Sequence, residues 1–137
     1  MAQTFWWPEP TVGDIVWCHF PYLPALEPGP KPRPVLVLKV FDDHDPNFHV
    51  LIAYGTSQKV TRLLQGEFAV TQADKSAYKL AGLSFDTKFS FKQLLELPYR
   101  SDYFKLPPAC ENINSPRLGT LHSNMMRKAQ AAWLAVK

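Results

Sequence analysis

The stretch that decides the fold runs from Val35 to Phe41, reads VLVLKVF and is almost entirely apolar and β-branched. Such a short continuous run is typical of a strand that is buried on both faces. It is followed by DDHDPN, residues 42–47, whose Asp, Asn and Pro residues favour a turn. A second apolar run, residues 48–54, comes next. The sequence therefore predicts two strands separated by a turn.

Further strand signals lie on either side of this pair. Residues 14–20, DIVWCHF, are rich in β-branched and aromatic types, and a short strand is expected near residues 66–71. The clearest alternation covers residues 83–91, where a period of two predicts a half-buried strand. Its apolar side carries Leu83, Phe85, Thr87, Phe89 and Phe91, and its polar side carries Ser84, Asp86, Lys88 and Ser90.

Composition also favours a β fold. The 137 residues include 13 prolines, and proline breaks helix interiors, which argues against a helical bundle. A helical pattern occurs only in the last segment, after a cap at Thr120 or Ser123. Its apolar positions are Leu121, Met125, Ala129, Ala132, Trp133 and Val136. We therefore expect a mainly β fold, a small curved sheet or barrel with one C-terminal helix.

Three other segments complete a single domain of 137 residues. An N-terminal extension, residues 1–11, contains Trp6 and Trp7, which we expect to dock onto the domain or a partner. Residues 21–34 hold six prolines and predict a stiff, partly polyproline-like loop. Residues 98–117 hold four prolines and predict a long loop. Loops of that length are often functional.

Several classes of protein are disfavoured by what the sequence lacks. No apolar run approaches the ~20 residues of a membrane span, and no secretory signal begins the chain. Cys18 and Cys110 are too few for a disulfide scaffold, and the four histidines show no metal-binding spacing. We therefore expect a cytoplasmic protein without metal or cofactor. The net charge of +3 permits an anionic partner.

Polar residues at the strand ends form the candidate site. Arg33 begins a buried strand, Thr56 and Ser57 end the next one, and Asp86 and Lys88 share the polar side of the alternating strand. If the sheet curls, these groups converge and could hold a phosphodiester, since arginine grips phosphate bidentately and hydroxyls donate to its oxygens. The alternative is that Arg33 pairs with a local carboxylate such as Glu27, while Thr56 and Ser57 merely form a turn.

The order of motifs resembles one toxin family. Residues 8–20, PEPTVGDIVWCHF, precede a loop with Glu27 and Gly29, and residues 33–38, RPVLVL, follow. This is similar to the MazF/PemK/Kid growth-inhibitor toxin family, which opens with G-[DE]-[IL]-[IV]-W, passes through an E-x-x-G-type loop and enters R-P-[VA]-[VL]-[VI]. Further matches are the Thr56-Ser57 pair, residues 81–91 and residues 118–121, LGTL, before the final helix.

The resemblance implies an SH3-like barrel, usually a homodimer, that cuts single-stranded mRNA without a metal or the ribosome. The implied partner is an antitoxin whose disordered tail occupies the RNA groove. Arg33 takes the place of the catalytic arginine and Thr56 that of the catalytic threonine. Glu27 matches the loop glutamate and Asp86 the strand acid of some members; either could take the 2′ proton.

The RNA itself would be held by further polar side chains, which are Ser57, Lys59, Lys88, Lys31 and Arg100. Arg100 lies among Tyr99, Tyr103, Phe104 and Lys105, a mixture that could stack bases and grip phosphates. The alternative is that this loop covers the barrel or a dimer seam.

The chain lacks the loop histidine of some family members, and His19, on the first strand, is a reserve candidate. Two other functions stay open. One is a protein-binding toxin on the same barrel, of the CcdB gyrase-poison type. The other is a degenerate interaction module. The Arg33 and Thr56 matches favour the nuclease, because a protein poison needs no arginine and hydroxyl pair.

Overall fold

The computed structural model describes residues 3–44, 46–107 and 115–137, and in them six strands form one antiparallel sheet. The elements in chain order are β1 (Asp14–Cys18), β2 (Arg33–His44), β3 (Asn47–Thr56), β4 (Glu67–Val70), α1 (Lys75–Leu80), β5 (Thr87–Pro98), β6 (Arg117–Thr120), a 3₁₀ turn (Ser123–Met125) and α2 (Met126–Val136). The order across the sheet is β4-β5-β3-β2-β1-β6. The sheet curls into a half-barrel, which confirms the mainly β prediction with its C-terminal helix.

The β2–β3 pair is the centre of the sheet, as its apolar runs predict. Val35 faces Tyr54 and Val37 faces Ile52 across the ladder. The turn predicted at residues 42–47 is shorter than expected, because β2 continues through His44 and β3 begins at Asn47. Backbone groups can pair whatever side chains they carry, so acidic residues at a sheet end still extend the ladder.

The curled sheet has an apolar cluster on each face, so the prediction that the first apolar run is buried on both faces holds for Val35, Leu36 and Val37; the rest of the run, residues 38–41, is partly buried or exposed. Neighbouring residues of one strand alternate between the clusters. One cluster contains Val16, Val35, Val37, Val50, Ile52, Tyr99 and Phe104. The other contains Ile15, Leu36, Ala53, Phe68, Phe89, Met125, Ala129 and Ala132. Each buried Val, Leu, Ile or Phe contributes about 1.5–3 kcal/mol.

The strand predicted at residues 83–91 is shifted along the chain. Strand β5 begins at Thr87 and extends to Pro98, and its first five residues are all buried. Phe85, expected on the core side, is 70% exposed. The start of the pattern follows a turn at Gly82, whose φ is 70° and where a Cβ would lie 2.0 Å from the carbonyl oxygen of Leu118. Residues 84–85 form a bend after that turn, so the first residues of the alternating pattern lie outside the strand, and helix α1, which precedes the turn, was not predicted.

The N-terminal extension docks onto the domain as expected. Trp7 is buried, its backbone N–H donates to Tyr99 O at 2.9 Å, and its Nε1 donates to Phe104 O at 2.8 Å.

The aromatic residues at the start of the predicted loop 98–117 are core residues, and the prediction that they stack bases is wrong. They are Tyr99, Tyr103 and Phe104. Residues 108–114 of that loop, with Cys110, lie outside the described residues.

Helix α2 packs against the sheet through a face of small residues, on which Ala129 and Ala132 are buried. The predicted caps, Thr120 and Ser123, are wrong, because the side chain that accepts at the start of the 3₁₀ turn is His122, from the N–H of Asn124 at 3.0 Å. Within the described ranges, no helix is long and apolar enough to cross a membrane.

Candidate functional site

One groove gathers six of the nine predicted site residues. It has a volume of about 680 Å³ and lies at the start of β2, the end of β3 and the start of β5. The predicted residues that line it are Lys31, Arg33, Thr56, Ser57, Lys59 and Lys88. We call it the cationic groove, because four of these six side chains are lysine or arginine.

The pairing of β2 with β3 brings Arg33 and Thr56 together. The strands run antiparallel with Val35 opposite Tyr54, so the same register continued by two residues places Arg33 opposite Thr56. Gly55 makes this approach possible, since a Cβ there would lie 2.1 Å from Pro34 O and 3.0 Å from the Phe89 ring. The candidate site therefore rests on the central hairpin and not on a loop.

Arg33 is held by a tyrosine and, within the described residues, by no carboxylate. Its Nη1 donates to the Tyr54 hydroxyl at 2.7 Å, and its guanidinium carbon lies 4.8 Å from the centroid of the same ring. In the part of the chain that the structure describes, Arg33 forms no ion pair, and its buried Nε has no hydrogen-bond partner. An unsatisfied buried donor costs about 1–3 kcal/mol. The alternative pairing with Glu27 is wrong, and the guanidinium is available to an anion.

Thr56 forms a turn and also lines the groove. Its Oγ1 accepts the backbone N–H of Gln58 at 3.1 Å, which matches the alternative in which Thr56 belongs to a turn. That bond uses the oxygen as an acceptor, so the hydroxyl hydrogen can still be donated into the groove. Ser57 and Lys59 follow on the exposed side, and Lys59 has a φ of 52°.

Lys88 and Glu67 form a closed ion pair on the β4–β5 side of the groove, where Lys88 of β5 is the cross-strand partner of Thr56 of β3. Lys88 Nζ lies 2.8 Å from Glu67 Oε1 and 3.1 Å from Arg62 O, and each side chain is 8% exposed. Glu67 Oε1 also accepts the N–H of Leu64. Burial alone would raise the pKa of Glu67, but the Lys88 and Leu64 hydrogen bonds and the Lys88 charge lower it overall. Lys88 is therefore not the free phosphate-binding cation that the sequence predicts.

Glu67 is a groove residue that sequence analysis missed. Its ammonium partner, Lys88, is 21 positions away in the chain. The two side chains meet because Glu67 of β4 pairs with Ser90 of β5, which is two residues from Lys88 on the same strand. No local sequence pattern predicts such a pair, because a single glutamate at the start of a short strand cannot be distinguished from a solvent-exposed charge. Only the pairing of β4 with β5 reveals it.

Three predicted site residues lie outside the groove lining. Glu27 is exposed on the proline loop. Asp86 Oδ1 accepts the N–H of Gln72 at 2.8 Å, so this carboxylate ties down a turn. Arg100 pairs with Asp102 at 3.1 Å and lies over the Trp6 ring. Asp86 and Arg100 therefore make contacts that stabilise the fold, and Glu27 lies in solvent.

His19 and Cys18 lie just before the proline loop, and their contacts serve the fold. His19 Nδ1 lies 2.9 Å from Gly29 O, a contact that joins the residue before the loop to the middle of the loop. Burial raises the pKa of the Cys18 thiol, although the charge of Arg33 opposes this rise. Among the described residues, no group of three or more His, Cys, Asp or Glu side chains is placed to hold a metal ion.

Comparison with known proteins gives no relative that could test the motif resemblance: no protein-family model and no curated protein matches this chain. The assignment of residue roles therefore depends on the geometry of the groove. The decisive features of that geometry are a guanidinium that pairs with no carboxylate in the described ranges and a hydroxyl opposite it.

Proposed function

We propose that this chain is an endoribonuclease that cleaves single-stranded RNA by attack of the RNA's own 2′-hydroxyl. The observation that carries the proposal is Arg33, a half-buried arginine that has no carboxylate partner among the described residues and lies opposite Thr56 in the cationic groove. Lys31 and Lys59 extend the positive charge along the same groove. Such a groove suits a chain of phosphates, because cations follow the backbone whatever its sequence.

The chemistry needs few protein groups. The 2′-oxygen forms a bond to phosphorus, the bond from phosphorus to the 5′-oxygen breaks, and the products are a 2′,3′-cyclic phosphate and a 5′-hydroxyl. Arg33 would stabilise the charge that develops on the phosphorane oxygens, and the Thr56 hydroxyl would donate to one of them. Both groups are positioned by strands, so little reorganisation is required when the charge develops.

The geometry does not favour a protein carboxylate as the base. Glu27 and Asp86 do not line the groove, and within the described residues Glu67 is the acid that does. Glu67 is held by Lys88, and its lowered pKa makes it a weak proton acceptor. The proposal therefore assigns the main rate enhancement to charge stabilisation by Arg33, with the 2′ proton passing to water and the leaving 5′-oxygen taking a proton from water.

The toxin role and the partners belong to the same proposal and rest on the motif resemblance. A growth-inhibiting toxin of this kind would be a homodimer, and a cognate antitoxin would keep it inactive. The cationic groove suits the expected antitoxin tail, because an acidic, disordered segment could occupy the positions of the RNA phosphates.

The test is cleavage of a defined single-stranded RNA by the purified protein in the presence of a chelator, followed by mapping of the ends. We expect 2′,3′-cyclic phosphate and 5′-hydroxyl ends. Arg33→Ala should reduce the cleavage rate about 10²- to 10³-fold, the usual cost of removing one group that stabilises developing charge. The control is Lys39→Ala, which removes an exposed cation of the same strand that does not line the groove.

Two results would contradict the proposal. Ends that carry a 5′-phosphate would mean that water or a metal-bound hydroxide attacks in place of the 2′-hydroxyl. Full activity of a folded Arg33→Ala variant would remove the guanidinium from the mechanism. A thermal unfolding midpoint near that of the wild type shows that the variant is folded.

A further inference from the structure

Phe85 occupies an unusual place for an aromatic residue. It is 70% exposed, and no other large apolar side chain in the described ranges is more exposed. Burial of a phenylalanine typically contributes about 1.5–3 kcal/mol to the free energy of unfolding. The exposed ring of Phe85 does not make this contribution. The ring lines the cationic groove together with its chain neighbour Ser84 and with Arg33. An aromatic face at the rim of a positively charged groove therefore needs an explanation other than the core.

The backbone around Phe85 is held on both sides. Asp86 accepts the N–H of Gln72 at 2.8 Å, and the Thr87 hydroxyl donates to the carbonyl of Phe85 itself at 2.8 Å. Thr87 is buried, and the preceding turn is fixed where Gly82 packs against the backbone of Leu118. The ring therefore projects from a fixed turn, and little conformational entropy would be lost when a ligand contacts it.

We propose that Phe85 is a base-stacking subsite for a nucleotide next to the phosphate held by Arg33. This inference rests on the proposed function and adds a recognition element to it. Single-stranded RNA exposes flat bases alternating with phosphates, and proteins bind it by combining aromatic platforms with cations. The cationic groove offers both, with the phosphate-binding group on β2 and the platform on the turn before β5.

Stacking should contribute to binding and not to the chemical step. A base on Phe85 interacts equally in the ground state and the transition state, so its loss raises KM and leaves kcat nearly unchanged. Because every base has an aromatic face, the contact tolerates many sequences. The matched pair of variants is Phe85→Leu, which keeps an apolar side chain without a ring, and Phe85→Trp, which keeps a ring.

The experiment measures the Kd of a short RNA in which every ribose is 2′-O-methylated, so that it cannot be cleaved. We expect Phe85→Leu to weaken binding about five- to a hundredfold, the range for one base stacked on an aromatic residue. Phe85→Trp should bind within about threefold of the wild type. The control is Tyr22→Leu, an aromatic residue of the proline loop that is 55% exposed and does not line the groove.

A walk of abasic sites along the same RNA identifies the stacked base. One abasic position should weaken binding to the wild-type protein and have no further effect on Phe85→Leu, because both changes remove the same contact. If the wild type cleaves and binds RNA while Phe85→Leu binds equally well, the subsite is wrong and the proposed function stands. If the wild type neither cleaves nor binds RNA, both are wrong.

Discussion

The two walls of the cationic groove differ in how they hold a cation. In the β2–β3 wall, Arg33 contacts a tyrosine hydroxyl and ring, and its Nε has no partner among the described residues. In the β4–β5 wall, Lys88 forms an ion pair with Glu67 and donates a hydrogen bond to the backbone carbonyl of Arg62. The first wall is open to an anion and the second is closed. Charge alone therefore does not indicate which cation binds a ligand.

The difference follows from what an incoming phosphate would have to displace. At Lys88 it would compete with a carboxylate that is already desolvated and hydrogen-bonded, and Glu67 would be left as a buried charge without a partner. At Arg33 it would displace no carboxylate of the described part of the chain and would satisfy donors that are otherwise incompletely used. We therefore expect the open wall to govern activity and the closed wall to govern stability.

The largest expected effect comes from breaking the closed wall. Lys88→Met leaves Glu67 buried without its counter-charge and Arg62 O without its donor, so we expect a loss of about 3–5 kcal/mol of unfolding free energy. Urea denaturation at neutral pH measures it. The control is Lys128→Met, which removes a 56% exposed lysine that also pairs with a carboxylate, Asp74; an exposed pair contributes about 0–1 kcal/mol.

A second variant separates the ion pair from simple packing. Lys88→Met combined with Glu67→Met removes both charges, and buried pairs replaced by apolar residues of similar volume are often neutral. The double variant should therefore be more stable than Lys88→Met alone. If Lys88→Met costs no more than Lys128→Met, the ion pair does not close this wall, and Lys88 becomes a candidate for RNA binding again.

The next effect in size concerns the open wall. Thr56→Val keeps the shape of the side chain and removes the hydroxyl, so the phosphate loses one hydrogen bond to a charged group. Such a bond contributes about 1.5–3 kcal/mol, which is about a ten- to hundredfold loss of kcat/KM on a defined RNA. The lost Gln58 contact should cost about 0.5–1.5 kcal/mol of stability.

The matched control for this prediction is Thr61→Val, an exposed threonine of the same loop that does not line the groove. It should leave both kcat/KM and stability unchanged. Full activity of Thr56→Val would remove its hydroxyl from the mechanism. If the variant unfolds instead, Thr56 serves the turn and the open wall consists of Arg33 alone.

The same contrast shows how much the sequence could predict. The runs at 35–41 and 48–54 identify the central hairpin, and antiparallel pairing then brings Arg33 and Thr56 to one end of it. These predictions depend on local periodicity and on one hairpin register, both of which sequence carries. The open wall is therefore largely predictable from the order of residues along the chain.

The closed wall and Phe85 could not be predicted in this way. The Lys88–Glu67 pair depends on the register between β4 and β5, with helix α1 between them in the chain. Phe85 belongs to a period of two whose first residues form a bend after the Gly82 turn and not a strand, so the pattern places its ring in the core while the structure places it in solvent. Tertiary contacts override local patterns at both positions.

The smallest expected effect is the response of the two walls to acid. Because the pKa of Glu67 is lower in the folded protein than in the unfolded chain, where it is about 4.3, this carboxylate stabilises the fold above that pH. Its contribution is lost as the pH falls through the folded pKa. Lys88→Met removes a main cause of the lowered pKa, so its unfolding free energy should fall less steeply between about pH 6 and pH 3 than that of the wild type.

Thr56→Val should keep the wild-type slope, because the open wall contains no carboxylate among the described residues. Asp74, whose pKa is lowered by the Thr71 N–H against the effect of burial, contributes the same acid dependence to all three proteins. Urea titrations at several pH values therefore compare the walls directly. Parallel curves for the wild type and Lys88→Met would show that the Glu67 charge does not stabilise the fold, whereas a shallower curve for Thr56→Val would place a titrating group in the open wall.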